Sequence, residues 1–377
     1  MSIKTLSKKM LAIVAAGAMT MGLAMPTSVF AAGGDTATKV TAAYISKTFN
    51  REVAKDETFS FTATQVAGNT AKVTIPDISF SGTGTGTTTR RVQVSFPEWP
   101  DAGKYEYTVK ETGATPAITD EKHQKMIMSH AEYTMDVYVS NGDNGLEISN
   151  IIVNKTKDDK GTAATGKVDI SNTDKNGFNF TNTYVQEAGT GIDPTNPDPD
   201  YTTYGSLDVS KIIKTDAADT ADTNKEFEFT ANFTFPTGTD GTTLGAKATI
   251  GDSTTSITGT SHTFNLKHGQ NVKFTGLPVG TKISVTESAT PNYKGSAEVV
   301  INNGTKEAVA ETKYNEALTV SDKTLGQNKN TVDVTNTYNY VPATGIIMNT
   351  LPYVLMIALC GVALIAFVGF KRRRLQK

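Results

Sequence analysis

The stretch Phe178–Tyr184, FNFTNTY, alternates apolar and polar residues in the manner of a strand with one buried face. A second stretch, Val332–Tyr338, VDVTNTY, repeats this alternation and ends on the same residues, Thr-Asn-Thr-Tyr. Because side chains two positions apart share one face of a strand, Asn182 and Asn336 each fall on the apolar face of their stretch. The sequence therefore predicts a side-chain amide pointing into each of two cores.

Each of these stretches closes one copy of a repeated plan. A copy begins with a strand that contains Ser-Lys, and its middle strand ends in Val-x-Glu. The matching segments are Ile45–Phe49 and Tyr105–Glu111 in the first copy, and Val209–Ile213 and Ile283–Glu287 in the second. Short alternating runs separated by Gly-rich turns are typical of β-sandwiches. We therefore predict an all-β chain with two tandem β-sandwich domains related by duplication.

Lysine and glutamate side chains also fall on the apolar faces of these strands. Lys47 and Glu111 align with apolar neighbours in the first copy, and Lys211 and Glu287 do so in the second. Lys214 is the rival to Lys211, but its parity places it on the opposite face. Ordinary strand-end residues whose charged heads reach solvent are the alternative. Three residue types repeated in both copies favour burial instead.

Burial gives this set of residues a specific chemistry. A buried lysine and a buried glutamate are each pushed toward the neutral form. Neutral lysine is a nucleophile, protonated glutamate can polarise a carbonyl and shuttle protons, and an asparagine amide can lose ammonia. Packing supplies the proximity that the sluggish amidation needs. We expect an intramolecular Lys–Asn isopeptide bond between the first and last strands of each domain.

The composition excludes several other classes of function. The formal net charge of −2 gives no indication of nucleic-acid binding. The single cysteine, Cys360, lies in the C-terminal apolar segment, so the rest of the chain has no disulfide. No metal and no cofactor are expected, and no nucleophile with a recognisable partner indicates a turnover enzyme. The histidines, which lack metal-ligand spacing, are His123, His130, His262 and His268.

The N-terminus has the pattern of a secretory signal peptide. A lysine-containing start precedes the apolar run Leu11–Met25, Pro26 breaks that run, and small residues lead to Ala31. This order predicts residues 1–31 as a signal peptide that is cleaved after Ala31. An N-terminal membrane anchor is the alternative, although the apolar run is short for a span.

The C-terminus, residues 341–377, has the three parts of a cell-wall sorting signal. Ile346–Phe370 is almost wholly apolar and long enough to span a membrane as a helix, and Lys371–Arg374 forms a basic tail behind it. An ordinary single-span anchor is the alternative. Directly before the span stands a pentapeptide that resembles the LPxTG motif cut by sortases, with the predicted cut between Thr and Gly. Its residues are Val341, Pro342, Ala343, Thr344 and Gly345.

A composition change separates the two copies. Residues 186–205 are rich in Pro, Asp, Gly and Asn and nearly free of aliphatic side chains. Such a stretch is typical of a semi-extended linker, with a long loop inside one domain as the alternative. The predicted boundaries are therefore an N-terminal domain at 32–185, a linker at 186–205 and a C-terminal domain at 206–340.

The repeated Lys, Glu and Asn set, the terminal Thr-Asn-Thr-Tyr strands and the sorting motif resemble streptococcal backbone pilins of the FctA type. The resemblance covers essentially the whole exported chain. It implies immunoglobulin-like domains that each carry an autocatalytic isopeptide bond. Carried over residue by residue, the bonds are Lys47–Asn182 assisted by Glu111, and Lys211–Asn336 assisted by Glu287.

The resemblance also implies a surface lysine to which the next subunit's Thr344 is joined. In this family that lysine lies shortly before the bonding asparagine of the first domain, and Lys175 fits. Lys155, Lys160 and Lys167 remain rivals, because the Tyr-Pro-Lys-Asn motif that marks this lysine in other pilins is absent.

The expected function is therefore structural: a subunit of a sortase-assembled pilus shaft on a Gram-positive cell surface, anchored to the wall. The expected partners are a pilin-specific sortase, identical subunits, minor pilins and peptidoglycan, and a host ligand stays open. A monomeric wall-anchored adhesin that uses the same domains as a stalk is the alternative.

Overall fold

The computed structural model describes residues 39–66, 68–82, 84–172, 177–215, 221–339 and 355–364. Strands dominate these residues, and the predicted all-β class is confirmed for them. The strands of the N-terminal domain are β1 (Tyr44–Arg51), β2 (Glu57–Gln65), β3 (Ile78–Phe80), β4 (Gly86–Gln93), β5 (Gly103–Thr115), β6 (Gln124–Ile127), β7 (Glu132–Gly142), β8 (Gly145–Lys157), β9 (Ala163–Val168) and β10 (Phe178–Gln186).

The described strands of the N-terminal domain form two sheets, in the orders β4-β1-β10-β6 and β3-β2-β5-β7-β8-β9. Their inner faces meet through aromatic rings. Phe49 of β1 packs edge-on against Phe59 of β2, and Tyr133 of β7 packs against Phe178 and Phe180 of β10. Alternation along β1, β7 and β10 places these rings inward, so the core lies between the two sheets.

The C-terminal domain repeats this layered arrangement. Its described strands form sheets in the orders β14-β13-β16-β11-β21-β18-β19 and β15-β12-β17-β20. The strands are β11 (Leu207–Thr215), β12 (Phe227–Thr234), β13 (Lys247–Ile250), β14 (Ser253–Ser256), β15 (Ser261–Leu266), β16 (Asn271–Thr275), β17 (Lys282–Glu287), β18 (Tyr293–Val300), β19 (Glu307–Val309), β20 (Leu318–Thr324) and β21 (Thr331–Tyr338).

The first and last strands of each domain are hydrogen-bonded neighbours that run parallel. In the N-terminal domain, β1 pairs with β10, with Lys47 opposite Phe180 and Phe49 opposite Asn182. In the C-terminal domain, β11 pairs with β21, with Lys211 opposite Val334 and Ile213 opposite Asn336. In both pairs, the lysine and the asparagine are therefore offset by two positions on adjacent strands.

The segment predicted as a linker connects the two domains and is itself partly buried. Ala188 and Thr190 are fully buried, and a short helix, α1 (Pro199–Tyr204), precedes the second domain. Glu187 accepts hydrogen bonds from four groups. It links the two domains, because one donor, His123, lies in the N-terminal domain and another, Ser206, lies at the start of the C-terminal domain. The four donors are His123 Nδ1 (2.7 Å), Tyr201 OH (2.6 Å), Ser206 Oγ (2.8 Å) and Gly276 N.

Several predictions for the chain ends fall outside the described residues. The predicted signal peptide and the pentapeptide Val341–Gly345 belong to this group. Of the predicted span, residues 355–364 are described, and they are helical and exposed. Within the described part of the chain, no helix has the length and apolar character that a membrane crossing requires.

Candidate crosslinking sites

In the N-terminal domain, one carboxyl group contacts both predicted reaction partners. Glu111 Oε2 lies 2.6 Å from Lys47 Nζ, and Glu111 Oε1 accepts a hydrogen bond of 2.6 Å from Asn182 Nδ2. The side chains of Lys47 and Glu111 are fully buried, as is Asn182. The structure thus brings together three residues that lie far apart in the sequence.

Local structure explains how Glu111 reaches this position. The alternation of β5 directs Tyr105, Tyr107 and Val109 into the core, and Glu111 continues the same face. The register between β2 and β5 shifts directly after Glu111, where Thr112 is the extra residue of a bulge. Bulges change the direction of a strand and often occur next to functional groups.

Burial shifts the pKa values of the N-terminal pair toward their neutral forms. Removal from water lowers the pKa of Lys47 to about 8, and the negative charge of Glu111 opposes this shift. Removal from water also raises the pKa of Glu111, against the opposing effect of Lys47. The Lys47 ammonium faces the ring of Phe59, with Nζ 4.2 Å from the ring centroid. Burial therefore makes the uncharged amine and the uncharged acid easier to form than they are in water.

The C-terminal domain contains the equivalent set. Glu287 Oε1 lies 2.8 Å from Lys211 Nζ and accepts a hydrogen bond of 2.5 Å from Asn336 Nδ2. Lys211 is fully buried, and Glu287 and Asn336 are each 3% exposed. Nζ of Lys211 lies 4.1 Å from the centroid of the Phe227 ring, much as Lys47 lies against Phe59.

The pKa shifts in the C-terminal site follow the same direction. Burial lowers the pKa of Lys211 to about 8 and raises the pKa of Glu287, while each partner's charge opposes the shift of the other. Among the described residues, neither Glu287 Oε2 nor Asn336 Oδ1 has a hydrogen-bond partner. Because buried acceptors without donors are costly, this arrangement favours a proton on the Glu287 carboxyl.

The structure distinguishes the two rival lysines of β11. Lys211 points into the core, whereas Lys214 is exposed on the opposite side of the strand. The contact with Glu287 is made by Lys211.

Ser129 and Asp159 support the N-terminal site, and the sequence pattern did not indicate either of them. The backbone N–H of Ser129 donates a 2.7 Å hydrogen bond to Asn182 Oδ1, and Asp159 accepts hydrogen bonds from Ser129 Oγ and from the N–H of Thr181. Both residues lie in loops, where no strand periodicity specifies direction. Asp159 belongs to a turn, Asp-Asp-Lys-Gly, whose composition is that of an exposed loop.

The predicted acceptor lysine, Lys175, and the pentapeptide Val341–Gly345 lie outside the described residues. Of the rival lysines, Lys160 and Lys167 are exposed, and Lys155 is half-buried against the ring of Tyr133. In the described ranges, no group of three or more His, Cys, Asp or Glu side chains is arranged to hold a metal ion.

Each of the two β-sandwiches contains one buried Lys–Glu–Asn set, in which the glutamate contacts both the lysine and the asparagine. Residues 43–185 match the FctA family model, described as a Spy0128-like isopeptide containing domain. This match of the N-terminal domain supports the resemblance to Gram-positive backbone pilins. Residues 205–338 match a family described only as a domain of unknown function, DUF7601.

Solved structures of pilus proteins are similar to the chain at low identity. The major pilin from Streptococcus pyogenes has 18% identity and a TM-score of 0.32, and 80% of this chain and 99% of that chain are covered. The T3.2 major pilin of the same organism has 20% identity, a TM-score of 0.32 and the same coverage. The pilus-presented adhesin Spy0125 has 14% identity and a TM-score of 0.25, with 52% of this chain and 39% of that chain covered. Among curated proteins, none matches the chain.

Proposed function

We propose that the chain is a structural subunit of a sortase-assembled covalent pilus shaft, in which each immunoglobulin-like domain is closed by a Lys–Asn isopeptide bond. The observation that supports this proposal most strongly occurs in both domains. One buried glutamate contacts a buried lysine and a buried asparagine on adjacent first and last strands. Ordinary structural ion pairs do not require an asparagine amide at the same carboxyl.

The reaction that this geometry favours is an amidation without cofactor. Nζ of Lys47 or Lys211 adds to the side-chain carbon of Asn182 or Asn336, and the amide nitrogen leaves as ammonia. The glutamate carboxyl, which contacts both nitrogens, takes a proton from the attacking amine and returns one to the leaving group. Each event joins one lysine to one asparagine and releases one ammonia. It is a single self-modification rather than a turnover reaction.

Such bonds suit a protein that transmits tension. The bonds would tie β1 to β10 and β11 to β21, the paired first and last strands of each domain. In a fibre under tension, force would enter and leave each domain through these strands. A covalent link across these parallel pairs prevents shear between them. By analogy with a disulfide that closes a long loop, each bond would contribute about 4–5 kcal/mol in the chain-entropy model. Unlike a disulfide, it would survive reducing conditions.

The termini complete the proposed assembly route. The signal peptide exports the chain, and the C-terminal span and basic tail hold the precursor in the membrane. A pilin-specific sortase then cuts between Thr344 and Gly345 and transfers Thr344 to Lys175 of an identical subunit. Transfer to peptidoglycan anchors the last subunit to the wall, and minor pilins complete the fibre. Lys160 and Lys167 are exposed and stay the main rivals to Lys175.

Electrophoresis of cell-wall extracts boiled in SDS tests the polymer. The shaft proposal predicts a ladder of high-mass species, and Lys175→Arg abolishes it, while Lys167→Arg serves as a matched control that keeps it. A single band in the wild type would contradict the shaft and support the monomeric adhesin instead. A ladder that survives Lys175→Arg would reject that lysine as the acceptor.

A further inference from the structure

The amide oxygen of Asn182 has a dedicated hydrogen-bond donor. Ser129 lies in the connection between β6 and β7, is 5% exposed, and donates its backbone N–H to Asn182 Oδ1 over 2.7 Å. The corresponding oxygen in the other domain, Asn336 Oδ1, has no hydrogen-bond partner among the described residues. The two sites therefore differ at the oxygen that gains negative charge when an amine adds to the amide.

Asp159 fastens this donor to the strand that carries the amide. Its Oδ1 accepts hydrogen bonds from Ser129 Oγ over 2.5 Å and from the backbone N–H of Thr181 over 2.9 Å. Its backbone carbonyl accepts a further hydrogen bond from the N–H of His130 over 2.9 Å. Thr181 directly precedes Asn182 on β10. Asp159 thus fixes the distance between the Ser129 N–H and the Asn182 amide from both sides.

We propose that Asp159 is a positioning residue for crosslinking of the N-terminal domain, and that it holds the Ser129 N–H as an oxyanion donor for Asn182. The inference rests on the proposed function, because it requires the Lys47–Asn182 bond to form. When Lys47 Nζ bonds to the amide carbon, an electron pair moves onto Oδ1, where the Ser129 N–H stabilises it without giving up its proton. The pair returns to the carbonyl as ammonia leaves. Donors placed in advance at such an oxygen are among the strongest contributions to acyl-transfer rates.

The negative charge of Asp159 does not by itself predict a faster or slower crosslink. Its negative charge raises the pKa of Lys47, which favours the unreactive ammonium, and raises the pKa of Glu111, which favours the useful neutral acid. These two influences oppose each other for the reactive pair. The hydrogen bonds from Ser129 and Thr181 to Asp159 both favour the crosslink, because both hold the Ser129 N–H in place beside Asn182.

The test is a pulse-chase experiment on the full mature chain. Newly made protein is unfolded and quenched at intervals, and peptide mass mapping quantifies the Lys47–Asn182 and Lys211–Asn336 crosslinks separately. Asp159→Ala is expected to slow the first crosslink by about 10-fold or more, in keeping with the loss of one oxyanion donor. Asp159→Asn keeps an acceptor oxygen and is expected to react within about 2-fold of the wild type. The Lys211–Asn336 crosslink in the same molecules is the internal control.

A matched control comes from the C-terminal domain. Asp333 accepts a 2.7 Å hydrogen bond from Ser210 Oγ, next to Lys211 in sequence, but it lies three residues from Asn336 and so on the other face of β21. Asp333→Ala is expected to leave both rates unchanged.

Each outcome has a distinct meaning. An unchanged rate in Asp159→Ala would overturn the inference while the proposed function stands, and so would equal slowing in Asp159→Ala and Asp159→Asn. Absence of the Lys47–Asn182 crosslink in the wild type would overturn the proposed function itself. If Asp159→Ala fails to fold, Ser129→Ala provides the same test, since it removes the tie to Asp159 and keeps the N–H donor.

Discussion

The two candidate crosslinking sites contain the same three residues in different surroundings. In the N-terminal domain both oxygens of Glu111 are engaged, one by Lys47 and one by Asn182, and the amide oxygen has a donor in Ser129. An open cleft runs beside Glu111, lined by polar residues that include His130 and Lys157. In this domain, loop residues therefore support the candidate site through hydrogen bonds.

The C-terminal site is simpler and more enclosed. Glu287 uses one oxygen for both Lys211 and Asn336, and its other oxygen is unpartnered among the described residues. The space around Glu287 and Asn336 has no room for a water molecule. Both sites share one arrangement: the lysine and the asparagine lie on adjacent strands of one sheet, and the glutamate lies on a strand of the facing sheet. On the proposal made above, the loops would adjust the crosslinking rate in each domain.

The largest expected effect comes from removal of the asparagines. Asn182→Ala or Asn336→Ala eliminates one crosslink and leaves the Lys–Glu pair of that site in place. Loss of about 4–5 kcal/mol of chain-entropy stabilisation lowers the melting temperature of the affected domain by on the order of 10–20 °C. Differential scanning calorimetry that resolves the two domains checks this. An unchanged transition in either variant would show that its domain was not crosslinked.

Substitution of the two glutamates tests whether both crosslinks depend equally on the glutamate carboxyl group. Glu287→Ala is expected to abolish the C-terminal crosslink, because no donor among the described residues contacts Asn336 Oδ1 and could compensate for the lost acid. Glu111→Ala is expected to restore one ammonia to the isolated protein, with slow crosslinking on long incubation because the Ser129 donor remains. Intact mass after isolation and after incubation separates the two outcomes. Equal and complete loss in both domains would remove the proposed difference between the sites.

The N-terminal domain also contains a buried glutamate, Glu57, whose ionisation should make the stability of this domain depend on pH. Glu57 is 2% exposed, and neither of its carboxyl oxygens has a partner among the described residues. Burial raises its pKa to about 7 from the usual 4.5, so ionisation is penalised in the folded state. Stability of this domain therefore falls as pH rises from about 4.5 to 7, by roughly 2–3 kcal/mol, and stays low above that interval.

Glu57→Gln removes this titration. Denaturant unfolding of the N-terminal domain at pH 5 and pH 8 is expected to give nearly equal free energies in the variant and a lower free energy at pH 8 in the wild type. Equal free energies at both pH values in the wild type would contradict the assignment.

The smallest expected effect tests the enclosure of the C-terminal site. Gly295 lies opposite Asn336 on β18, and a Cβ there would come within 3.1 Å of Asn336 Oδ1 and of Leu318 Cβ. Gly295→Ala is expected to destabilise the domain by about 1–2 kcal/mol and to slow its crosslink. Gly259→Ala, where an added Cβ has no neighbour within 4 Å, is the matched control. Equal behaviour of the two variants would argue against a tightly closed site.

Strand periodicity was sufficient to predict the parts of the site that lie on strands. The apolar faces that contain Lys47, Lys211, Asn182 and Asn336 are buried as the alternation indicated, and the choice of Lys211 over Lys214 agrees with their exposure. Period two fixes the face of every residue in a regular strand, so burial followed directly from the pattern.

The loop contributions could not be predicted in the same way. Ser129 reaches Asn182, and Asp159 reaches the neighbouring Thr181, from connections whose direction is set by the packing of whole sheets. Ser129 also contacts Asn182 through its backbone rather than its side chain. The sequence also did not predict that the segment 186–205, expected to be a linker, is packed in the structure. Its polar composition gave no sign that Glu187 would be a buried acceptor for donors that include His123 and Ser206.

Intact mass spectrometry of the recombinant region 32–340 shows whether both isopeptide bonds form. The C-terminal domain matters most here, because its family match carries no functional description and its crosslink is inferred from geometry. Two isopeptide bonds predict a mass lower than the sequence mass by two ammonia molecules, with one restored in Lys47→Ala and one in Lys211→Ala. A mass equal to that of the sequence, or lower by a single ammonia, would contradict this prediction.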